Sequence, residues 1–530
     1  MTEPRVAYFC MEYGLHPALT TYSGGLGILA GDYMKSVGDL GVPVTGVGIL
    51  WDQGYTSQTI EDGAPVDRYE PTRRDALEPV DAELEVMVRG ERVALRAWKV
   101  ARYTEAELYL LEPVEDRHRW ITRRLYGGGP EDRVAQEIVL GIGGVRLLRA
   151  LGREVDVYHF NEGHAVFAGH ELIRERRAAG ESFDDACAAV RDRIVFTTHT
   201  PVPAGNESHD IGLLEKMGAT VGLEPAELER LGGSPYGMTV AGLRLARRAN
   251  AVARLHGETS RAMWRDVDGG APIISITNGV HAGTWQDGRI RGAGRDEHLL
   301  WAAHRAAKSE LVAAIADRAG AALDPDQLIV GFARRAAAYK RSDLIFGDPE
   351  RLERLFAGRK LQLVFSGKAH PRDDEGKRII GSLVAATRRW PRNVVFLENY
   401  DMEIGAALTR GCDVWLNNPR RPMEASGTSG MKAAMNGVLN CSILDGWWPE
   451  GCRHGETGWR IEAELTGADS EVERDRRDRD ALLDVLEHEV MPAFYGPRED
   501  WVRMMQASIA MSERPFSTER MVEEYYARLY

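Results

Sequence analysis

Short runs of β-branched and aromatic residues recur along this chain, and most lead into a polar or glycine-containing loop followed by helical periodicity. A strand, a loop and a helix repeated in that order build a parallel sheet with helical crossovers, so the sequence predicts an α/β fold. In the first half the clearest predicted strands are Val6 to Cys10, Val157 to Phe160, Ile194 to Thr198 and Ile273 to Ile276. In the second half they are Leu328 to Phe332, Leu361 to Phe365, Val394 to Leu397 and Val414 to Leu416.

These two sets of strands predict two doubly wound domains, and a chain of 530 residues is long enough to hold both. The turn Thr277-Asn278-Gly279 and a helical stretch from about His298 to Ile315 separate the two sets. We therefore place the boundary near Trp285, with domains over residues 1–285 and 286–505 and a C-terminal helix over 506–530.

The composition excludes several classes of protein. A net charge of -13 argues against nucleic acid or an anionic membrane as the main partner. No run of 18 apolar residues and no leader-like N-terminus is present, and the five cysteines lack zinc-type spacing. We expect a cytoplasmic protein with reduced thiols and no metal site.

Ligands of parallel sheets bind at the carboxyl ends of the strands, so the loops there carry the candidate chemistry. The glycine-rich segment from Tyr22 to Gly31 follows the first strand and opens a helix, whose free N–H groups could hold an anion. It lacks the GxGxxG spacing of a dinucleotide site, and a tight structural turn is the commoner reading.

The segment Ser426-Gly427-Thr428-Ser429-Gly430-Met431-Lys432 resembles a phosphate-binding P-loop but fails its pattern, because Met431 precedes the lysine and Ala433 follows it. It predicts a small-residue loop that opens a helix near Met431, with Lys432 in the first turn. A cation there is disfavoured by the helix dipole, so a covalently bound aldehyde cofactor carrying a phosphate would suit this lysine. A lysine that reaches into solvent is the alternative.

Four cations, Arg334, Arg335, Lys340 and Arg341, follow the predicted strand that ends at Phe332. Guanidinium groups bind oxyanions bidentately, so this cluster predicts a phosphate site, with a solvated basic loop as the alternative.

Polar residues also follow strands of the first half. His199 precedes a loop that Pro201 and Pro203 should make rigid, and Asn161-Glu162-Gly163-His164 follows another strand. Together with Glu424 and Asp445 they predict a polar cleft for a hydroxyl-rich ligand, although each of them alone is more often structural. The charged segment from Glu471 to Asp480 is interpreted as a solvated helix start.

Taken together, the segments that begin at Tyr22, Phe196, Ile276, Gly331 and Glu424 resemble the glycogen (α-glucan) phosphorylase family. The resemblance runs from about Val6 to the C-terminus. It implies two Rossmann-like domains facing a cleft, the GT-B arrangement, with a C-terminal helix that crosses back. It also implies reversible phosphorolysis of a terminal α-1,4-linked glucose to α-glucose 1-phosphate with retention of configuration, and pyridoxal 5'-phosphate as the cofactor.

The resemblance assigns roles to matching residues. For catalysis and substrate phosphate it implies Arg335, Lys340 and His199. For the cofactor it implies Lys432, Arg334, Thr428, Ser429 and the backbone of Gly25. For the sugar it implies Glu424, Ala425, Ser426, Gly427, Asn278 and Tyr339, to which we add Glu162 and His164 from the predicted cleft. The first domain would then bind glucan and the second the cofactor.

Some positions depart from the long phosphorylases. Arg334 stands where a lysine is common, and Asp401 follows Tyr400 where those enzymes have an arginine. The expected partners are glucan or maltodextrin, orthophosphate and glucose 1-phosphate, and the resemblance also implies a homodimer. The alternatives are a relative that acts on a small acceptor or another sugar phosphate, a nucleotide-sugar glycosyltransferase, and a glycan-binding protein without activity.

Overall fold

The structure is a computed structural model that describes residues 3–201, 205–358, 360–464, 467 and 470–530. The strands of the described part are β1 Val6–Phe9, β2 Val44–Ile49, β3 Ser57–Glu61, β4 Ala64–Arg68, β5 Leu77–Val88, β6 Glu91–Val100, β7 Glu107–Pro113, β8 Val157–Asn161, β9 Ile194–Thr198, β10 Ser208–His209, β11 Tyr236–Gly237, β12 Arg248–Ala251, β13 Ile273–Ser275, β14 Leu328–Ala333, β15 Leu361–Ser366, β16 Val394–Leu397, β17 Val414–Asn417, β18 Leu439–Ile443 and β19 Gly458–Ile461.

The α-helices of the same residues are α1 Gly25–Leu40, α2 Pro130–Ile138, α3 Gly144–Ala150, α4 Phe167–Ala178, α5 Phe183–Arg191, α6 Ile211–Met217, α7 Pro225–Gly232, α8 Met238–Leu245, α9 Arg254–Met263, α10 Ala282–Trp285, α11 Gly288–Ala293, α12 Glu297–Ala319, α13 Pro349–Ala357, α14 Asp374–Arg389, α15 Met402–Gly411, α16 Thr428–Met435, α17 Trp448–Gly451, α18 Glu471–Val485, α19 Met491–Phe494, α20 Arg498–Ser512 and α21 Thr518–Arg528. None of them combines the length and the apolar composition needed to cross a membrane.

The chain divides into two compact units. The first contains the chain up to Tyr55, Tyr69–Asn278 and Thr518–Tyr530, and the second contains Thr56–Arg68 and Gly279–Ser517. The chain leaves the first unit at Asn278, seven positions before the Trp285 named from the sequence. Its C-terminal part forms two helices, α20 in the second unit and α21 in the first, where the sequence suggested one helix over 506–530.

The first unit contains a nine-stranded sheet in the order β13-β12-β9-β8-β1-β2-β7-β6-β5. Its strands from β13 to β7 are parallel, whereas β6 pairs antiparallel with both β5 and β7. The chain winds outward in both directions from β1 and β8, so the switch point of this sheet lies between those two strands. The antiparallel strands were not predicted from the sequence.

The second unit contains a six-stranded, fully parallel sheet in the order β16-β15-β14-β17-β18-β19. Numbered along the unit, this order is 3-2-1-4-5-6, the order of a doubly wound Rossmann-type sheet. Its switch point lies between β14 and β17. The hairpin of β3 and β4 also belongs to this unit.

The central strands are hydrophobic along their whole length because both of their faces are covered. Leu328, Val330 and Phe332 of β14 belong to one core cluster, while the alternating Ile329 and Ala333 belong to another. The α/β class is therefore confirmed, and each of the eight predicted strands lies within one residue of an observed one. The parallel strands β2, β12, β18 and β19 were missed.

Candidate active site

The switch point of the second unit is where residues predicted to bind phosphate come together. Arg334 follows β14 directly, and Asn417 is the last residue of the neighbouring β17. An Arg334 Nη1 group donates a hydrogen bond to the Asn417 side-chain oxygen. Parallel strands end at the same edge of the sheet, so the loops after β14, β17 and β18 meet here.

Glu424 lies between two of the predicted cations. Its carboxylate accepts a hydrogen bond of 2.5 Å from Arg334 Nη2 and two from Lys340 Nζ, of 2.9 and 2.7 Å. Burial of this carboxyl acts to raise its pKa, but the charges of Arg334 and Lys340 outweigh burial and lower the pKa to about 2. Glu424 is therefore ionised at neutral pH.

Asp445 supports Glu424 from the loop after β18. One Asp445 oxygen accepts the backbone N–H of Glu424 at 2.9 Å, and the other accepts the N–H of Gly446 at 2.9 Å. Burial raises the pKa of Asp445 to about 7, and the nearby Glu424 carboxylate also raises it. The loops after β17 and β18 are joined further by a hydrogen bond from Trp447 N to the Ser426 carbonyl at 2.9 Å.

Helix α16 carries Lys432. The prediction that this helix begins near Met431 is wrong, because α16 begins at Thr428 and Lys432 lies one turn inside it. The predicted penalty from the helix dipole therefore does not apply. Lys432 is only 6% exposed, so the solvent-reaching alternative is also wrong. Its Nζ lies 3.3 Å from the ring centroid of Trp285.

The residues around Lys432 fit a phosphate-bearing aldehyde cofactor. Among the described residues, Arg334 Nε and Ser426 Oγ are buried and have no hydrogen-bond partner, so both can donate to a bound anion. Gly427, with a φ of 85°, precedes the first turn of α16, whose N–H groups have no intrahelical acceptor. Trp415 Nε1 orients Ser429 Oγ at 3.2 Å. The segment from Ser426 to Lys432 thus carries both a lysine amine and anion donors, and Arg334 adds a further donor from the loop after β14.

The other predicted residues of this unit lie in the same two loops. Arg335 is exposed, and the Lys340 amine lies 4.5 Å from the ring centroid of Tyr339. Ala425 and Thr428 are partly exposed. Trp285 and Asn417 were not predicted as site residues, although the position of Asn417 at a strand end was a usable signal.

The first unit has a second polar group at the carboxyl ends of β8 and β9. The His199 ring nitrogen Nε2 lies 2.6 Å from Asn161 Oδ1, and the His199 backbone N–H donates to Glu162 Oε2 at 2.7 Å. Burial raises the pKa of Glu162 to about 7 and lowers the pKa of His199 to about 3. His199 is therefore neutral, and Val202, Pro203 and Ala204 of its loop lie outside the described residues.

His164 contacts a neighbouring arginine. Its Nε2 is 3.3 Å from Arg133 Nη2, and burial lowers the pKa of His164 to about 3. Arg133 pairs with Glu207 at 2.8 Å. Asn278 is buried, and its side-chain oxygen has no hydrogen-bond partner among the described residues.

Glu12, which the sequence did not single out, organises the glycine-rich loop. Its Oε2 accepts the N–H of Ser23 at 2.6 Å and of Gly24 at 3.2 Å, and its Oε1 accepts the Tyr126 hydroxyl at 2.6 Å. A Cβ on Gly27 would lie 2.7 Å from that carboxylate. Gly25, which follows Gly24, is exposed at the start of α1.

Sequence similarity to known proteins extends along almost the whole chain. The family model described as carbohydrate phosphorylase matches residues 296–449. Maltodextrin phosphorylase of Thermococcus litoralis is 40% identical over an alignment of 591 residues, which covers 100% of this chain and 70% of the relative. Glycogen phosphorylase of Mycobacterium tuberculosis is 40% identical over 99% of this chain and 70% of its own length. Glycogen phosphorylase of Aquifex aeolicus is 36% identical, with 99% and 86% covered.

Proposed function

The chain belongs to the carbohydrate phosphorylase family, and we propose that it is an α-glucan phosphorylase. Its reaction is the reversible phosphorolysis of a terminal α-1,4-linked glucose of glycogen or maltodextrin, which yields α-glucose 1-phosphate with retained configuration. The observation that carries this proposal is the cluster of Arg334, Lys340 and Glu424 at the switch point of the parallel sheet.

The cluster suits a substrate that carries both a phosphate and a sugar. We assign the substrate phosphate to Arg335 and Lys340, because cations at strand ends bind oxyanions through charge-assisted hydrogen bonds. We assign sugar hydroxyls to Glu424 and to the segment from Ala425 to Gly427, since an ionised carboxylate and backbone N–H groups bind hydroxyls well. Cleavage of a glycosidic bond develops positive charge at the sugar ring, and preorganised anions and cations stabilise that charge distribution.

Pyridoxal 5'-phosphate is the cofactor that fits these residues. Lys432 would attach it covalently, while Arg334, Thr428, Ser429 and the backbone of Gly25 would bind its phosphate. When bound, this cofactor supplies a second phosphate group that exchanges a proton with the substrate phosphate. The protein residues hold these anions and exclude water from the reacting centre.

Residues of the first unit complete the proposal. We assign His199, Asn278, Glu162 and His164 to the glucosyl and glucan hydroxyls. The neutral imidazoles can accept or donate a hydrogen bond, and the Asn278 oxygen can accept one. We also propose the GT-B arrangement, with glucan bound mainly by residues 1–285 and the cofactor by 286–505. The C-terminal segment would return to the first domain.

The proposal is tested with purified protein in two assays. Glucose 1-phosphate and maltodextrin should release orthophosphate, and Lys432→Ala should abolish that activity. Borohydride reduction followed by intact-mass measurement and peptide mapping should place the cofactor on the peptide that contains Lys432. Absence of both the label and phosphate release would disprove the proposal. Turnover of nucleotide sugars without the cofactor would instead favour a glycosyltransferase.

A further inference from the structure

Helix α18 begins with a dense run of charges that its sequence suggested was simply solvated. In the structure, however, two of its carboxylates pair with a buried arginine. Asp475 Oδ1 lies 2.7 Å and Asp478 Oδ2 lies 2.8 Å from the same atom, Nη1 of Arg341. Asp478 is 8% exposed and Arg341 is 3% exposed. One face of this helix therefore contacts a buried arginine that directly follows Lys340 in the chain.

Arg341 joins the two loops that carry the phosphate-site residues. Its Nε donates to the Asn418 carbonyl at 2.9 Å, and its Nη2 donates to the Pro419 carbonyl at 2.9 Å. The Asn418 side-chain amide donates back to the Arg341 carbonyl at 2.8 Å. A planar guanidinium can make these contacts and the two carboxylate contacts simultaneously, which a lysine cannot.

Arg420 adds a second connection between the same elements. Its backbone N–H donates to the Tyr339 carbonyl at 2.8 Å, and its side chain pairs with Asp475 at 2.6 Å. Asp475 thus holds one arginine from each loop. Both loops are attached to α18, and their mutual hydrogen bonds fix the separation of their backbones.

Both arginines are close in sequence to residues of the candidate site, so the positions of the two loops determine where those residues lie. Lys340 directly precedes Arg341, and Glu424 follows Arg420 by four positions. The Lys340 amine and the Glu424 carboxylate meet at 2.7 and 2.9 Å only if both loops keep this separation. We propose that Arg341, held by Asp475 and Asp478, is a positioning residue: it holds Lys340, the residue assigned to the substrate phosphate, in contact with Glu424. This inference rests on the proposed phosphorylase function.

The test is Arg341→Met in the full chain, with Arg341→Lys as the conservative variant. A small misplacement of binding groups lowers catalytic efficiency by about 100-fold, so we expect a loss of roughly 10- to 100-fold in kcat/KM for orthophosphate. The KM for maltodextrin should change far less. Asp475→Asn should also raise the KM for orthophosphate. Arg341→Lys should retain more of the kcat/KM for orthophosphate than Arg341→Met but less than the wild type.

Arg351→Met is the matched control. Arg351 is also a largely buried arginine that contacts two carboxylates near α18, with Asp484 at 2.7 Å and Glu487 at 2.8 Å, but it holds helix α13 rather than the site loops. This variant should lose a similar amount of thermal stability and keep the wild-type KM for orthophosphate. A folded Arg341→Met or Arg341→Lys protein with wild-type orthophosphate KM would overturn the inference.

The two proposals fail in different ways. If the wild-type protein releases no orthophosphate from glucose 1-phosphate, the proposed function fails, whatever the variants do. Binding of inorganic phosphate measured by calorimetry then still separates the variants: weaker binding to Arg341→Met than to Arg351→Met supports positioning, and equal binding overturns it.

Discussion

A single carboxylate decides the charge state of the candidate site. Glu424 is the common partner of Arg334 and Lys340, and its backbone is held by Asp445. A buried cation without a partner is strongly disfavoured, so this carboxylate keeps two cations in place at the strand ends. The two cations are therefore held in fixed positions rather than left as mobile side chains.

Replacement of this carboxylate tests its role in binding. Glu424→Gln keeps the shape of the side chain but removes the negative charge that accepts three hydrogen bonds from two cations. Hydrogen bonds to charged groups contribute about 1.5–3 kcal/mol, so kcat/KM for glucose 1-phosphate should fall by roughly 10- to 100-fold. Glu112→Gln, which alters a buried glutamate paired with Arg74 in the first unit, should leave the kinetics unchanged. Unchanged kinetics in Glu424→Gln would exclude the assigned role.

The same residue predicts a pH dependence of stability. Although burial acts to raise it, the pKa of Glu424 is lowered from 4.5 to about 2 by Arg334 and Lys340. Because the pKa is lower in the folded state, Glu424 stabilises the protein above about pH 4.5, and this stabilisation is lost as the pH falls toward 2. Urea unfolding of wild type and Glu424→Gln at several pH values should therefore show a stability difference that shrinks in acid. A constant difference would contradict the lowered pKa.

Helix α16 shows how packing controls an element that composition leaves ambiguous. Its first turn is Thr428-Ser429-Gly430, which contains poor helix formers. Neighbouring side chains hold this turn, since Asn440 Nδ2 donates to the Gly430 carbonyl at 2.9 Å and Trp415 contacts Ser429. The position of Lys432 therefore depends on contacts with β17 and β18 as much as on its own helix.

A methyl group at position 430 should disturb this packing. A Cβ on Gly430 would lie 2.5 Å from Asn440 Oδ1 and 3.0 Å from Trp447 Nε1. Overpacking of this kind costs about 1–3 kcal/mol, so Gly430→Ala should lower the free energy of unfolding by that amount in urea titrations. Gly292→Ala in α11 is the control, because no atom lies within 4 Å of its Cβ and alanine favours a helix. Equal stability of the two variants would contradict the packing argument.

Helix α12 is joined to the amino-terminal side of the second sheet by a buried ionic group. Asp413 accepts hydrogen bonds from His304 at 2.9 Å, Lys308 Nζ at 2.6 Å and the Ile329 backbone at 2.7 Å. Removal of one partner of a buried pair typically costs about 3–5 kcal/mol, so Asp413→Asn should destabilise the protein by this order. The steady-state kinetics of the folded fraction should not change, because this group lies at the end of β14 opposite the site. A stability loss below about 1 kcal/mol would contradict this account.

At the scale of the whole molecule, the first unit is assembled from three separate segments of chain. The last of them contains α21, whose Met521, Val522 and Tyr525 are buried in the core beside α1. The Tyr530 hydroxyl lies 2.6 Å from that of Tyr33 and 2.8 Å from His159 Nδ1. The first unit can therefore complete its core only after the C-terminal segment has packed.

Truncation of one aromatic side chain in α21 tests this dependence. The Tyr525 ring centroid lies 5.9 Å from that of Tyr33 and 5.3 Å from that of His159. Aromatic-to-alanine changes in a core cost about 3–5 kcal/mol, so Tyr525→Ala should lower the thermal midpoint markedly in calorimetry. The exposed Glu523→Ala on the same helix should not. If both variants unfold at the wild-type temperature, α21 does not contribute to this core.

Sequence reasoning worked best where a physical signal is local. Ile194–Thr198 and Val394–Leu397 were predicted with their observed bounds, because buried parallel strands are continuous apolar runs. Helix α12 was predicted from about His298 to Ile315 and is observed over Glu297–Ala319. The antiparallel β5 and β6 were missed because their charged, half-exposed alternation is also typical of surface loops.

The sequence by itself determined the α/β class, eight of the strands and the segments that carry Lys432, Arg334, Lys340 and His199. Hydrophobic runs and residue types near strand ends are local features of a sequence, and no tertiary structure is needed to recognise them. Tertiary structure alone decided that Glu424 joins Arg334 to Lys340, that Glu12 holds the glycine-rich loop and that Asp475 and Asp478 hold Arg341. The physical reason is that these contacts join residues far apart in sequence, so their energies depend on distances that exist only once the strands have paired.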